Sequence, residues 1–196
     1  MDGTSVLDPP GLVGPNAVVQ LAAALEEMIG QQEARSFFSY QGLESLFDTP
    51  PGEMIDQRIP ARLMRALWDH FPDEMASTIA SSAGRKTADY VIAHRIPWIA
   101  KASFHIVPRS VAASLLMNAI HRNAWTFAGS GICEVSRDPA HLISIRENPL
   151  ALPNCAWHVA VFERLFRRLV HRDAKVRHLT CCRDTDKACQ FVIDLS

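Results

Sequence analysis

Apolar residues in the first part of the chain recur every three to four positions, which predicts helices. One such period runs from Asn16 to Ile29 and places the apolar side chains on a single face. Pro60 suits the first turn of a second, shorter helix, and Pro72 ends it. The period returns after Pro108 and continues to about Asn123, where we expect a further helix.

The segment from about Glu74 to His94 is predicted to be the central helix. Asp73 can cap its N-terminus, and Pro97 ends it. Its buried face is a stripe of small residues, namely Ala76, Ala80, Gly84 and Ala88. Small side chains let another backbone come close, so we expect this helix to pack deep inside the protein. The following stretch, Phe104–Val107, is predicted to be a short extended piece.

The second part of the chain alternates between apolar and polar residues, which predicts strands. The predicted strands are 125–136, 142–146, 175–182 and 188–195. The first two join around Asp138-Pro139, and an amphipathic helix from Pro153 or Asn154 to about Val170 separates the pairs. This order predicts an α+β fold, with helices packed on a small antiparallel β-sheet and a C-terminal hairpin.

Composition and charge place the chain among globular proteins. We divide its 196 residues into a flexible tail over 1–14, a helical extension over 15–49 and a domain over 50–196. Hydrophobic residues make up 48%, and the net charge of −1 gives no sign of a nucleic-acid partner. Because the chain shows neither a signal peptide pattern nor an apolar run of about 20 residues, we expect a cytoplasmic protein without a membrane span.

Four of the five cysteines lie in the last 42 residues, and three of them lie between Cys181 and Cys189. In a chain without an export signal, grouped thiols indicate metal binding or redox chemistry rather than disulfides. Structural zinc prefers four Cys, His or carboxylate ligands in a tetrahedron. The predicted metal ligands are Cys155, His178, Cys181 and Cys189, and the hairpin is expected to be clipped by this metal.

Two substitutes for this ligand set stay open. An ideal strand places residues 178 and 181 on opposite faces, so His178 and Cys181 need a bulge to meet. Otherwise Cys182 replaces Cys181, since it shares a face with His178, and His158 is a further substitute one helical turn from the helix cysteine. The competing interpretation is that the cysteines are small core residues, as we expect for Cys133. No C-x-x-C motif is present, which disfavours redox chemistry.

The cysteine pattern resembles the tail of the bacteriochlorophyll 4-vinyl reductase-like domain family. Members show a helix Cys, an acidic residue, then Cys, three residues, Gly-Asp, two residues, Cys and an apolar strand. The matching residues here are Cys155, Cys181, Thr185-Asp186 and Cys189, with Thr185 in place of Gly and His178 in place of the acidic residue. Ala83–Tyr90 also resembles the family's central helix, and Cys155–Val170 resembles the photosynthetic members. The resemblance covers roughly residues 50–196.

The resemblance implies a fold shared with vesicle-tethering subunits and with ligand-sensing domains of aromatic-responsive regulators. It implies a bound metal near a small-molecule pocket, here a structural zinc, and a homodimer. For the photosynthetic members it implies a part in bacteriochlorophyll biosynthesis, in the cytoplasm or at the periphery of photosynthetic membranes.

A vinyl reductase needs a hydride donor, but the sequence shows no dinucleotide site. The nearest match, Gly129-Ser-Gly131-Ile-Cys-Glu134, has Glu134 in place of the third glycine and leads into a predicted strand. Gly84-Arg-Lys-Thr87 resembles part of a phosphate loop, but Ile79 occupies the position of its first glycine. We therefore assign no catalytic residue. Two alternatives to a carrier remain, a vinyl reductase with an unrecognised donor and a small-molecule sensing or interaction domain.

A flat tetrapyrrole needs an apolar, aromatic-lined pocket with a few polar anchors. The candidate ligand-binding residues are Trp98, Phe104, His105, His121, Trp125 and Trp157. A neutral His can coordinate magnesium, and Arg109 or Arg122 can pair with propionates. The ordinary alternative for each is a place in the core or on the surface. These residues and the resemblance predict a carrier or accessory factor that binds a magnesium protoporphyrin-type intermediate.

A basic run follows the cysteine helix and consists of Arg164, Arg167, Arg168, Arg172, Lys175 and Arg177. Such a run is most often a solvated face. Its alternative is a docking surface for an acidic partner, such as a magnesium chelatase or a methyltransferase of the same pathway.

Overall fold

The structure is a computed structural model that describes residues 11–104, 106–184 and 186–195. The helices in these ranges are α1 Asn16–Ile29, α2 Gln31–Tyr40, α3 Glu44–Asp48, α4 Arg58–His70, α5 Asp73–His94, α6 Trp98–Phe104, α7 Arg109–Arg122, α8 Trp125–Ala128 and α9 Ala156–Leu169. The strands are β1 Leu12–Val13, β2 Ile55–Asp56, β3 Ile132–Ser136, β4 His141–Arg146, β5 Lys175–Thr180 and β6 Ala188–Asp194.

The strands form two small antiparallel sheets. β1 pairs with β2, and the larger sheet has the order β3-β4-β6-β5. β5 and β6 are the predicted C-terminal hairpin. The α+β class, with helices packed on a small antiparallel sheet, is therefore confirmed.

The small-residue face of α5 lies against α9, as the stripe of alanines and glycine predicts. At Gly84 a Cβ atom would lie 2.4 Å from the carbonyl oxygen of Trp157 and 2.9 Å from the Cβ of Ala160. Only a residue without a side chain fits there. The contact holds α9 close to the centre of the protein, and α9 in turn carries residues of the site.

Strand β6 alternates between buried and half-buried residues, and its buried face lies in the main core. Cys189, Phe191 and Ile193 point inward. The ring of Phe191 packs edge-on against Phe162 of α9, with centroids 5.3 Å apart. Because side chains on one strand face share a direction, Cys189 points toward the same helix as Phe191.

Two short elements differ from the sequence prediction. Phe104 was expected in an extended piece, but it is the last residue of α6, which starts after Pro97. The strand expected from Trp125 begins only at Ile132, because the first four residues form the single turn α8. Alternation over so few residues suits one helical turn as well as a strand. Gly129, with φ of 52°, then ends the turn.

The N-terminal region is more ordered than the prediction of a tail over 1–14. Residues 1–10 of that tail lie outside the described residues, but Val13 is buried in β1 and pairs with Ile55 of β2. Helices α1 to α3 lie within the predicted extension, and buried residues of α1 belong to the same core as α5. None of the helices within the described ranges is both long and apolar enough to cross a bilayer.

Candidate metal centre and ligand cavity

Three buried cysteines meet where α9 begins and the β5–β6 hairpin turns. We call Cys155, Cys181 and Cys189 the thiol cluster. The Sγ of Cys181 lies 3.5 Å from that of Cys155 and 3.9 Å from that of Cys189, and all three atoms lie within 4.8 Å of one another. Zinc–sulfur bonds of about 2.3 Å in a tetrahedron separate the sulfurs by about 3.8 Å. The spacing of the thiol cluster therefore fits a metal ion.

Among the candidates for a fourth ligand, only Cys182 contacts a sulfur of the thiol cluster within the described residues. The Sγ of Cys182 is 3.1 Å from that of Cys189. Two imidazole nitrogens, Nε2 of His178 and Nδ1 of His158, are buried without a hydrogen-bond partner among the described residues. The register between β5 and β6 shifts after His178, but its ring nitrogens are not among the described ligand atoms that lie within 4.8 Å of one another, so ligation by His178 stays a prediction. The fourth ligand stays open between these three side chains.

An unusual backbone conformation brings Cys155 into the thiol cluster. Asn154 and Cys155 have φ of 53° and 43°, in the left-handed region. Side-chain-bearing residues adopt this region at a cost of about 1 kcal/mol or more, and such strain concentrates at functional sites. The backbone N–H of Cys181 donates to Oδ2 of Asp186 at 3.2 Å, which shapes the hairpin loop. Thr185, the other motif residue of that loop, lies outside the described residues.

Hydrogen bonding lowers the pKa of Cys189 relative to the other thiols of the thiol cluster. The thiol of Cys155 donates to its sulfur and lowers the pKa of Cys189 to about 4, and Nδ2 of Asn148 adds a donor at 3.4 Å. The pKa of Cys155 is correspondingly raised, because its proton is held by Cys189 and because it is buried. Burial raises the pKa of Cys182 to about 11. A buried thiolate surrounded by thiols is suited to receive a cation.

Asn148 is a member of this site that sequence reasoning missed. Its side chain is buried, and its Oδ1 accepts the backbone N–H of Leu150 at 3.0 Å while Nδ2 faces Cys189. In the sequence it stands beside Pro149, where an Asn reads as an ordinary turn residue. Nothing in that pattern distinguishes it.

A cavity of about 440 Å³ is lined by residues other than those of the thiol cluster. It lies between the end of α5, α6, α7 and α8, and the start of α1 closes it. Its walls are mainly apolar, and their polar side chains are Asn16, Arg95, Asn123 and Thr126. Two of the predicted ligand-binding residues, Phe104 and Trp125, line this cavity; Phe104 is buried and Trp125 is 39% exposed.

The structure places the other predicted ligand-binding residues elsewhere. Trp98 is 74% exposed on α6 and does not line the cavity. Trp157 is fully buried in the core against Gly84. His121 lies on the exposed side of α7, where its Nδ1 is 2.9 Å from the carbonyl oxygen of Cys133. His105 lies outside the described residues.

Arg95 is the cation that lines the cavity, and sequence reasoning missed it. The predicted propionate partners, Arg109 and Arg122, are exposed on α7 and are not among the lining residues. Arg95 comes directly after α5 and before Ile96-Pro97. A basic residue at this position is typical of any helix C-terminus, so the sequence gives no sign that it lines a cavity.

One histidine connects the cavity to the thiol cluster. Phe127 lines the cavity, and its carbonyl oxygen accepts a hydrogen bond of 3.0 Å from Nε2 of His158. The ring of His158 stacks 5.7 Å from that of Phe191, two residues from Cys189. Burial lowers the pKa of His158 to about 4, so the imidazole is neutral at neutral pH. His158 therefore contacts both a residue that lines the cavity and a ring on the strand that carries Cys189.

Two curated proteins are similar to almost the whole chain, although no protein-family model matches it. The bacteriochlorophyll synthase 23 kDa chain of Cereibacter sphaeroides is 36% identical over 185 residues, which cover 91% of this chain and 88% of that protein. The protein of the same name from Rhodobacter capsulatus is 33% identical over 189 residues, covering 92% and 86%. The chain belongs to the bacteriochlorophyll synthase 23 kDa chain family. The resemblance to the photosynthetic, bacteriochlorophyll-associated members is thereby confirmed.

In this member of the bacteriochlorophyll synthase 23 kDa chain family, carboxylates pair with several cations of the basic run. Arg164 contacts Asp89 through two nitrogens at 2.8 and 3.0 Å, and Arg167 lies 3.2 Å from Glu163. Arg172 is paired with the neighbouring Asp173. The exposed residues Arg168, Lys175 and Arg177 complete the run. This pairing favours a solvated face, and docking of an acidic partner there stays a prediction.

Proposed function

We propose that the protein binds a magnesium porphyrin intermediate of bacteriochlorophyll biosynthesis and holds it or hands it on between enzymes. The observation that carries this proposal is the apolar cavity walled by Phe104 and Trp125, with the guanidinium of Arg95 at its edge. It occurs in a member of a family whose relatives are named for bacteriochlorophyll synthesis.

The chemistry of the walls suits such a ligand. A volume of about 440 Å³ lies within the range of ligand pockets, and the exposed side of Trp125 leaves room for the macrocycle to extend outward. Arg95 would pair with a propionate. The described lining residues include no histidine, so magnesium would take an oxygen from Asn16, Asn123 or Thr126, or from water.

We also propose that the thiol cluster binds zinc with a structural role. Cys155, Cys181 and Cys189 would hold it, and Cys182, His178 or His158 would complete the tetrahedron. Zinc is redox-inert, so it would supply no electrons and would cross-link the start of α9 to the β5–β6 hairpin. The buried thiolate and the metal-like sulfur spacing support this assignment.

The vinyl reductase alternative draws no support from the glycine-containing segment near residue 130. That segment leads from α8 into strand β3, whereas a dinucleotide fingerprint opens a helix. A reductase would have to use a donor bound elsewhere.

A titration with magnesium protoporphyrin tests the proposal. We expect a shift of the pigment's absorption and quenching of tryptophan fluorescence, and most of the quenching should disappear in Trp125→Phe. Ala119→Phe, which fills the rim of the cavity, and Arg95→Gln should each weaken binding about tenfold. Both positions are exposed, so the fold should tolerate these changes. Trp68→Phe, away from the cavity, is the matched control.

Three results would contradict the proposal. Wild-type protein that leaves the pigment spectrum unchanged does not bind it. Equal affinity in wild type and Ala119→Phe would move the ligand out of the cavity. Turnover of a divinyl pigment by pure protein with NADPH would replace the carrier by a reductase.

A further inference from the structure

Large exposed apolar side chains are concentrated in the part of the chain that runs from α6 into α7. We call this set the apolar face, and it consists of Trp98 (74% exposed), Ile99 (65%), Ile106 (83%), Val111 (44%) and Leu115 (45%). Single exposed apolar residues are ordinary, but five within 18 consecutive positions require an explanation. The first three project from a short helix and the loop after it.

The same part of the chain has only positive formal charges. Residues 90–133 include Arg95, Lys101, Arg109 and Arg122 but no Asp or Glu, although the whole chain has a net charge of −1. Arg95, Arg109 and Arg122 are exposed and form no ion pair with a described residue, whereas several cations of the basic run are paired. The exposed apolar residues therefore share their stretch of the chain with unneutralised cations and with no acidic residue, which favours an anionic partner.

Most of the described side chains of helix α6 are exposed. Of its described side chains only Phe104 is buried, and Lys101 is held by donating to the carbonyl oxygen of Ile92 at 3.1 Å. Trp98 and Ile99 point into solvent from its first turn. Tryptophan prefers the interface between lipid headgroups and acyl chains, and nearby Arg and Lys side chains bind anionic headgroups.

We propose that the apolar face docks the protein on an anionic lipid bilayer. Trp98, Ile99 and Ile106 enter the interface, and Arg122, which shares a side of α7 with Val111 and Leu115, contacts headgroup phosphates. Fluid lipid accepts projecting side chains without a complementary shape, which a protein partner would have to supply. A second copy would bring the unpaired cations of two chains together, so repulsion disfavours self-association through this face.

The position of the cavity gives this docking a further role, which rests on the proposed function. Pro97 and Phe104, at the two ends of α6, both line the cavity. A docked α6 would therefore bring these two lining residues, and the cavity beside them, close to the lipid surface. An apolar pigment would then pass between cavity and bilayer without crossing water.

Vesicle co-sedimentation tests the proposal directly. Full-length protein is mixed with vesicles of phosphatidylcholine, or of phosphatidylcholine and phosphatidylglycerol in equal parts. We expect binding to the anionic vesicles alone, weakening as salt increases, with a blue shift of Trp98 fluorescence. The double variant Trp98→Ser, Ile99→Ser should weaken it about tenfold or more. Arg122→Gln should weaken it about fivefold.

Matched controls distinguish binding through the apolar face from nonspecific adsorption of the protein to vesicles. Tyr40→Ser removes a 75% exposed aromatic residue from α2, and Arg168→Gln with Lys175→Gln removes two cations from the basic run. Both should bind anionic vesicles like wild type. All variants should keep the wild-type far-UV circular dichroism. Trp98→Ser, Ile99→Ser should still bind magnesium protoporphyrin in solution, which separates failure of docking from failure of the proposed function.

Several outcomes would overturn the proposal. One is absence of wild-type binding to anionic vesicles, and another is equal binding by the Trp98, Ile99 double variant. If light scattering shows that wild type is a dimer and that this double variant is a monomer, the face joins two copies. If the protein is retained on immobilised polyglutamate but does not bind vesicles, the partner of the apolar face is an acidic polypeptide.

Discussion

Gly84 sets the distance between two helices by having no side chain. A Cβ there would lie 2.4 Å from a backbone oxygen of Trp157, and a backbone atom cannot move aside as the end of a flexible side chain can. Trp157 follows Cys155 by two residues. The same close approach of α5 and α9 therefore also fixes the position of Cys155 at the start of α9.

We predict that Gly84→Ala destabilises the protein by about 2–3 kcal/mol, because α9 must shift away from α5. Urea unfolding followed by circular dichroism measures this difference. Gly52→Ala is the control: its Cβ would have no neighbour within 4 Å, so its unfolding free energy should stay within about 0.5 kcal/mol of wild type. Equal stability of the two variants would show that α5 and α9 leave room for a methyl group at position 84.

His158 should make stability depend on pH. Burial depresses its pKa to about 4 in the folded protein, whereas an unfolded chain has the ordinary value of about 6.5. Above pH 6.5 the imidazole is neutral in both states and the fold has its full stability. As pH falls from 6.5 toward 4 only the unfolded chain takes up the proton, so stability is lost, by about 2 kcal/mol at pH 5.

Urea unfolding at pH 7 and pH 5, with a chelator present throughout, measures this loss. The free energy of unfolding of His158→Gln should fall by about 2 kcal/mol less between these two values than that of wild type. A parallel fall in both proteins would assign the pH dependence to other groups.

At the scale of elements, the thiol cluster joins the start of α9 to the β5–β6 hairpin, in addition to the packing of Phe191 against Phe162 of α9. If zinc binds there, its binding energy is part of the folding energy. We predict that Cys189→Ala loses bound zinc and unfolds at a markedly lower temperature, and that chelation of wild type has the same effect. Cys133→Ala, a buried cysteine outside the thiol cluster, should keep its zinc. Equal zinc in both variants by elemental analysis would remove Cys189 from the ligand set.

Long elements were predictable from sequence, and short ones were not. Helices α1, α5 and α9 repeat their apolar period over several turns, so periodicity alone locates them. Helices α6 and α8 have too few residues to establish a period, and both were expected to be extended at least in part. The grouping of Cys155, Cys181 and Cys189 was also readable, because a hairpin brings its two ends together. Arg95 and Asn148 were missed, because their roles depend on contacts that span the chain.

At the scale of the whole molecule, the cavity and the thiol cluster are linked through the hydrogen bond between His158 and Phe127. Removing zinc should loosen Cys189 and Phe191, and through His158 also Phe127, which lines the cavity. We predict that chelation weakens magnesium protoporphyrin binding about fivefold or more, within the usual range of coupling between sites.

Fluorescence titration with and without a chelator measures this coupling. In His158→Phe, which keeps a ring beside Phe191 but cannot donate to Phe127, chelation should change pigment affinity less than in wild type. Identical pigment affinity of metal-loaded and metal-free wild type would show that the two sites act independently.

The absence of acidic residues over 90–133 affects how the molecule is oriented as it approaches a charged surface. All 21 acidic residues lie outside it, so a chain that is almost neutral overall is electrically asymmetric. A negatively charged surface exerts little net electrostatic force on such a molecule, but it does exert a torque. This torque acts over about one Debye length, roughly 8 Å. It would turn before it touches, and Arg95 at the edge of the cavity would be among the first groups to arrive.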